Sequence, residues 1–206
     1  MKIPAVSISR ILLYYRAILS LGDADIVSSQ DIADLTGYKA AQVRKDLAYF
    51  GQFGRPGSGY NVGVLKNQLK KILGVDRTWD VALVGVGNLG SALLAYKGFK
   101  KQGFNIRYAF DNDPKKIGKI RQGLRIYNFE KIDDILGPDS VEMAIIAVPQ
   151  DVAQEVLDKV VGIGIKAILN FAPVRLKVPE DAVVLNIDLS MELEKLTYFL
   201  LQKRKA

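Results

Sequence analysis

Apolar and polar positions follow two rhythms along this chain, helical over the first third and strand-turn-helix beyond it. From Pro4 to Gly22, Ile8, Ile11, Leu12, Tyr15, Ile18 and Leu19 recur at three- and four-residue spacing. That spacing predicts a helix opened by Ser7 or Ser9 and closed by Gly22, with Arg10 and Arg16 on its other sides. Ser28 and Ser29 then offer an N-cap to a short helix over Asp31 to Leu35, ended at Thr36 and Gly37. A third helix begins near Lys39 and runs AAQVRKDLAYF. Ala40, Val43, Leu47 and Phe50 point inward, while Lys39, Gln42, Arg44, Lys45 and Tyr49 lie elsewhere on its surface. Helix, glycine turn, helix is the helix-turn-helix pattern. The segment GQFGRPGSGYNV, with Gly57 and Gly59 near its end, reads as a hairpin or wing around Arg55, or as a flexible linker. Phe53, Tyr60 and Val62 favour the packed hairpin. Val64 to Leu73 predict one more amphipathic helix, and GVDRT marks a domain boundary.

The rhythm changes at residue 79. An apolar run, Val81 to Val84, feeds Gly85, Gly87 and Gly90 at GxGxxG spacing, followed by a helical pattern over Leu89 to Lys101. A strand over Asn105 to Phe110 stops at Asp111. Further strands are predicted at Leu124 to Tyr127, Val141 to Val148, Ala167 to Asn170 and Val183 to Ile187, with helices at Phe129 to Leu136 and Gln150 to Val161. Strands alternating with helices predict a parallel sheet covered on both faces. A last helix, Ser190 to about Gln202, is apolar around most of its circumference, so it docks either on a partner subunit or within its own chain. The fold class expected is α/β: an N-terminal winged helix-turn-helix domain (1–78), a Rossmann-type parallel-sheet domain (79–188) and a C-terminal helix (189–206).

The glycines give the second domain its candidate chemistry. Gly85 permits a tight turn, Gly87 lets backbone approach a pyrophosphate, and Gly90 lets the helix pack on its strand. The residues Gly85, Val86, Gly87, Asn88, Leu89 and Gly90 are therefore the expected cradle, with the pyrophosphate on the helix N-terminus. Asp111 stands roughly 20 residues on, where a carboxylate takes the adenosine ribose hydroxyls. It would repel a 2'-phosphate, which favours NAD(H), although Lys115 and Lys116 keep the phosphorylated cofactor open. Val148 and Pro149, with Asn170, Phe171, Ala172 and Pro173, leave strands at the edge where ligands of open sheets collect. They border the nicotinamide or merely pack.

Composition narrows the function. The net charge is +7, and residues 1–78 hold 11 basic against 6 acidic side chains, an excess of five that points to a polyanion. With no cysteine and no histidine, disulfides, thiolate nucleophiles, the usual zinc sites and the best proton-transfer side chain are all missing. No metal site or catalytic residue is expected. Tyr127 and Lys131 have a Tyr-x-x-x-Lys spacing, but at the wrong strand for a short-chain dehydrogenase. No run of about 18 apolar residues and no signal peptide stands out, so a cytoplasmic protein is expected.

The combination of VSSQDIADLTG, AQVRKDLAYFGQFG, GSGYNV, VGVGNLG, FDNDP with KIG, AVP and NFAPV resembles the Rex family of redox-sensing transcriptional repressors over nearly the whole chain. The resemblance implies a homodimer whose paired winged helices bind palindromic operator DNA and release it when NADH binds, NADH and NAD⁺ being compared in the second domain. It implies C-terminal helices exchanged between subunits, each near the partner's DNA-binding domain. It also implies a switch trio of Arg16, Tyr96 and Asp188, with an Arg16–Asp188 pair in one state and Tyr96 on the carboxylate in the other. For DNA contacts, Lys39 and Lys45 are expected on phosphates, Gln42 and Arg44 on base edges, and Arg55, Gly57, Gly59 and Tyr60 at the wing.

Overall fold

A computed structural model describes residues 3–22, 25–54, 57–137 and 140–205. The chain divides into two compact units, Met1–Arg77 and Thr78–Ala206.

The first unit packs four helices on a two-stranded ribbon. α1 (Ala5–Leu19) has Pro4 at its N-cap, not a serine, and buries Ser7, Ile11, Tyr14, Tyr15 and Ile18. Leu12 and Leu19, expected inside, are exposed. The short strand β1 (Ile26–Val27) precedes α2 (Ser29–Thr36), which opens on a capping box of Ser28 with Asp31 and closes on Gly37 at φ 74°. α3 (Ala40–Ala48) buries Val43, Asp46 and Leu47. The second strand, β2 (Tyr60–Asn61), pairs antiparallel with β1 and not within its own glycine segment, so the wing is anchored to a strand before α2. α4 (Val62–Ile72), capped by Asn61, completes a core around Ile11, Tyr14, Ile32, Leu47, Leu65 and Leu69.

The second unit is doubly wound. Its strands are β3 (Trp79–Val84), β4 (Phe104–Asp111), β5 (Ile120–Arg121), β6 (Leu124–Asn128), β7 (Met143–Ile146), β8 (Ala167–Asn170) and β9 (Val183–Asn186). They form one sheet in the order β5-β6-β4-β3-β7-β8-β9, parallel throughout except for the β5–β6 hairpin. That hairpin turns on Gln122 at φ 50° and Gly123 at φ 80°. Alternate residues of β3 serve opposite faces. Ala82 and Val84 join the cluster under α7 (Ile132–Ile135) and α8 (Ala153–Gly162), while Val81 and Leu83 pack with Leu93, Leu94 and Phe99 on the other side. The helix expected over 89–101 is two, α5 (Asn88–Ala95) and α6 (Gly98–Lys101), broken at Tyr96, whose ψ of 98° is extended. α9 (Leu189–Lys205) ends the chain.

Candidate functional site

The order of β4, β3 and β7 reverses the chain's direction of winding at β3, and the crevice at that switch point is where an open α/β sheet takes its ligand. Gly85 leaves β3 at φ 94°, and a Cβ there would stand 2.4 Å from the Ala147 carbonyl oxygen. At Gly90 a Cβ would stand 1.9 Å from the Gly85 carbonyl oxygen, so α5 approaches its strand only because residue 90 has no side chain. Gly87 is different. It is the N-cap of α5, its φ of −77° suits any residue, and a Cβ there would meet no atom within 4 Å. Nothing in the chain itself requires glycine at 87, whereas a group approaching the helix N-terminus would.

These contrasts separate the two glycines experimentally. Gly90→Ala is expected to destabilise the second unit by about 1–3 kcal/mol or more, because backbone must move. Gly87→Ala is expected to leave thermal stability unchanged and to weaken binding at the turn. Thermal unfolding of both variants checks this, and equal destabilisation would refute it.

Asp111, at the end of β4, is only 6 % exposed. Its Oδ2 accepts from the Val86 N–H at 2.8 Å and from Lys116 Nζ at 2.9 Å, and its Oδ1 accepts from the Asp113 N–H at 2.8 Å. Burial pushes its pKa up, but those hydrogen bonds outweigh it and hold the carboxyl below its ordinary range. The carboxylate thus binds the turn to the following loop and turns little of itself outward to a ribose. A cleft of about 300 Å³ opens beside it, between Gly87, Asn88 and Ser91 on one wall and the loop after β4 on the other.

Across the switch point, Asn170 is fully buried. It donates to the Ala172 carbonyl and to Asn186 Oδ1 and accepts from the Ala172 N–H. Asn170 and Ala172 therefore shape the loop after β8 from behind, leaving Phe171 and Pro173 with Val148 and Pro149 nearer its surface. Tyr127 packs on Phe110 with ring centroids 6.0 Å apart, as a core aromatic. Among the described residues no group of acidic side chains could hold a metal, and no helix is long and apolar enough to cross a membrane.

In the first unit, α3 presents Ala41, Arg44, Lys45 and Ala48 on its exposed side. That stripe follows from the spacing i, i+3, i+4, i+7, and its two alanines let the helix axis approach a partner closely. Arg44 donates to Ser29 Oγ at 2.8 Å and lines a groove of about 630 Å³ with Ser28, Phe53, Gly57, Gly59 and Tyr60. Lys39 is the exposed N-cap of α3. Gln42 is turned away, its amide donating to Asp46 Oδ1 at 3.0 Å. Arg55 lies outside the described residues. Of the expected switch residues, Arg16 is exposed on α1. Tyr96 is 61 % exposed at the α5–α6 break, edge-on to Phe99. Asp188 accepts from the Ser190 and Met191 N–H groups and so caps α9.

A sequence family described as "CoA binding domain" matches residues 76–174, and one described as "Putative DNA-binding protein N-terminus" matches residues 2–48. The Redox-sensing transcriptional repressor Rex of Desulfitobacterium hafniense is 46 % identical over 200 residues, 96 % of this chain and 95 % of that one. The protein of that name from Pelotomaculum thermopropionicum is 48 % identical over 205 residues, 98 % and 96 % of the two chains. The chain belongs to the Rex family. Two solved Rex-like structures extend the comparison: RSP in complex with beta-NAD+ and operator DNA has a TM-score of 0.93 at 37 % identity, over 99 % of this chain and 95 % of that one. RSP in complex with beta-NADH has a TM-score of 0.87 at 35 % identity, over 99 % and 97 %. The Rex relatives are named as transcriptional repressors.

Proposed function

We propose that this chain is an NADH-responsive transcriptional repressor: a homodimer that holds palindromic operator DNA through its first unit and releases it when NADH enters the second. The observation that carries the reading is the likeness over 99 % of the chain to a protein solved with both NAD⁺ and operator DNA. Local geometry supports each half. The open space at Gly87, at the positive end of α5, fits a pyrophosphate, and Val148, Pro149, Phe171 and Pro173 border the nicotinamide. The Ala41, Arg44, Lys45, Ala48 stripe fits a major groove, with Arg44 reading base edges, Lys39 and Lys45 on phosphates, and Gly57, Gly59 and Tyr60 at the wing. Gln42 supports the helix from behind and is dropped as a base reader.

The dimer reading rests on α9, where Leu193, Leu196, Tyr198 and Phe199 are 65, 62, 60 and 59 % exposed. Docked on a second copy, such a helix buries what it leaves in water alone. Arg16, Tyr96 and Asp188 are the residues through which cofactor and DNA states exchange partners. Any ligand shifts that balance only by its difference in affinity for the two states.

Fluorescence anisotropy of a labelled operator selected from random DNA, titrated with NADH and then NAD⁺ at fixed salt, tests the function. Release by NADH is the expected result, and Gly87→Ala moves its midpoint up by roughly tenfold through the overpacking cost of one methyl. Unchanged anisotropy with bound NADH would overturn the repressor reading.

A further inference from the structure

Two adjacent serines open α2, and the structure gives them different tasks. Ser28 is the cap: its Oγ accepts from the Gln30 and Asp31 N–H groups, and its own N–H donates to Asp31 Oδ2 at 2.7 Å. Ser29, the first residue of α2, takes no part in that box. Its hydroxyl instead accepts from Arg44 Nη1 at 2.8 Å, across the groove from α2 to α3. The capping box therefore fixes Ser29 half-buried at the edge of the groove, with its oxygen turned to the arginine.

Arg44 stands exposed on the outer stripe of α3 and forms no ion pair among the described residues. An exposed arginine samples many rotamers, and a contact that demands one of them forfeits the rest. The bond to Ser29 removes part of that freedom before any partner arrives. It engages Nη1 alone. The guanidinium is a planar fork of five N–H donors, so its Nε–Nη2 edge keeps two parallel donors for a bidentate contact. On the far wall of the groove, burial raises the Tyr60 pKa and the Arg44 charge opposes the rise, which places the guanidinium between α2 and the wing strand β2. A hydrogen bond this exposed adds little to folding. What it sets is direction.

We propose that Ser29 is a positioning residue for operator recognition: its hydroxyl holds the Arg44 guanidinium in the direction in which Arg44 meets the operator. The proposal rests on the reading of Arg44 as an operator contact and adds the residue that aims it.

The test is a double-mutant cycle on the full chain, read by anisotropy with the labelled operator and with an unrelated duplex of equal length at one salt concentration. Ser29→Ala is expected to weaken operator binding by about three- to tenfold, the factor for leaving one rotamer-rich side chain unordered, and Ser29→Thr to restore it to within about twofold. Arg44→Ala is expected to weaken it by about ten- to a hundredfold. On that background Ser29→Ala should change affinity by less than about twofold, because the residue it aims is gone. Ser29 is not the cap, so the thermal midpoint of Ser29→Ala should stay within a few degrees of the parent. A loss confined to the operator puts the aimed guanidinium on a base edge, and a loss shared with the unrelated duplex puts it on a phosphate; either supports the positioning. Unchanged or tighter binding by Ser29→Ala, or the same loss with and without Arg44, overturns this proposal alone. Operator affinity unchanged in Arg44→Ala overturns the reading of Arg44 with it.

Discussion

Replacing Asp46 by alanine is expected to destabilise the first unit by about 3–5 kcal/mol and to abolish operator binding, while NADH binding in the second unit survives. Asp46 lies on α3 between residues of the exposed stripe, yet it is fully buried. Its Oδ1 accepts from Arg10 Nη2 at 2.7 Å and Gln42 Nε2 at 3.0 Å, and its Oδ2 from Arg10 Nε and Tyr14 Oη. A carboxylate offers about four acceptor positions, and here all four are filled. Arg10 Nη2 reaches on to Ser7 Oγ at 3.1 Å, so one network ties α3 to α1. Truncating Asp46 leaves a half-buried guanidinium and a buried tyrosine hydroxyl without their acceptor, which is the costly way to break such a pair. Arg10 keeps 16 % exposure, which places the cost toward the lower end. For a unit of this size each kcal/mol moves the midpoint by roughly 4–8 °C, so a drop beyond about 10 °C is expected in calorimetry. A midpoint within a few degrees of the wild type would show that the network does not hold α3.

The same network gives a pH signature. Burial raises the Asp46 pKa, but the bonds from Arg10, Tyr14 and Gln42 exceed it and hold the carboxyl below its ordinary value. Because the folded pKa is depressed, the stability it contributes is fully present above the unfolded value near ~3.9 and is lost as pH falls through the folded one. Asp46→Ala should therefore flatten the acid limb of the first unit's stability curve and leave its neutral region uniformly lower.

The helix-turn-helix, the alternation of strands with helices and the GxGxxG turn were legible because each has a period or a spacing that one sequence displays. Elements too short to have a period were not: β1 and β5 have two residues each, too few to display an alternation. The break at Tyr96 was hidden for the opposite reason, since the apolar pattern of Leu93, Leu94, Tyr96 and Phe99 continues unbroken across it. Buried polar groups were the largest loss. Ser7 reads as a cap and Gln42 as a base reader until Asp46 is known to be inside, and partners 36 residues apart leave no local pattern. Asp111 was found by its spacing, but its spacing could not say that loop N–H groups and a lysine already hold its carboxylate.

Ending the chain after Asp188 is expected to give a monomer that binds NADH but has lost operator affinity by about a hundred- to ten-thousandfold. A seventeen-residue helix is roughly 25 Å long and marginal by itself in water, so packing is what holds α9 in shape. Its apolar side chains, Leu193, Leu196, Phe199 and Leu201 among them, are more than half exposed within one chain. Burying each against a second copy stabilises by about 1.5–3 kcal/mol, and several together reach the roughly 4–15 kcal/mol that association costs. The edge strand adds Val183 and Leu185, each 63 % exposed, to the surface that needs cover. Two recognition helices held on one scaffold bind the second half-site at high effective concentration, and a monomer forfeits that factor. It also contacts half as many phosphates, so the slope of log affinity against log salt should fall by about half. Light scattering gives the mass of the truncated chain and anisotropy gives both affinities. A truncated chain that remains dimeric would move the interface elsewhere. One that is monomeric with unchanged operator affinity would mean that a single first unit reads the operator, and the palindrome would then have no structural counterpart.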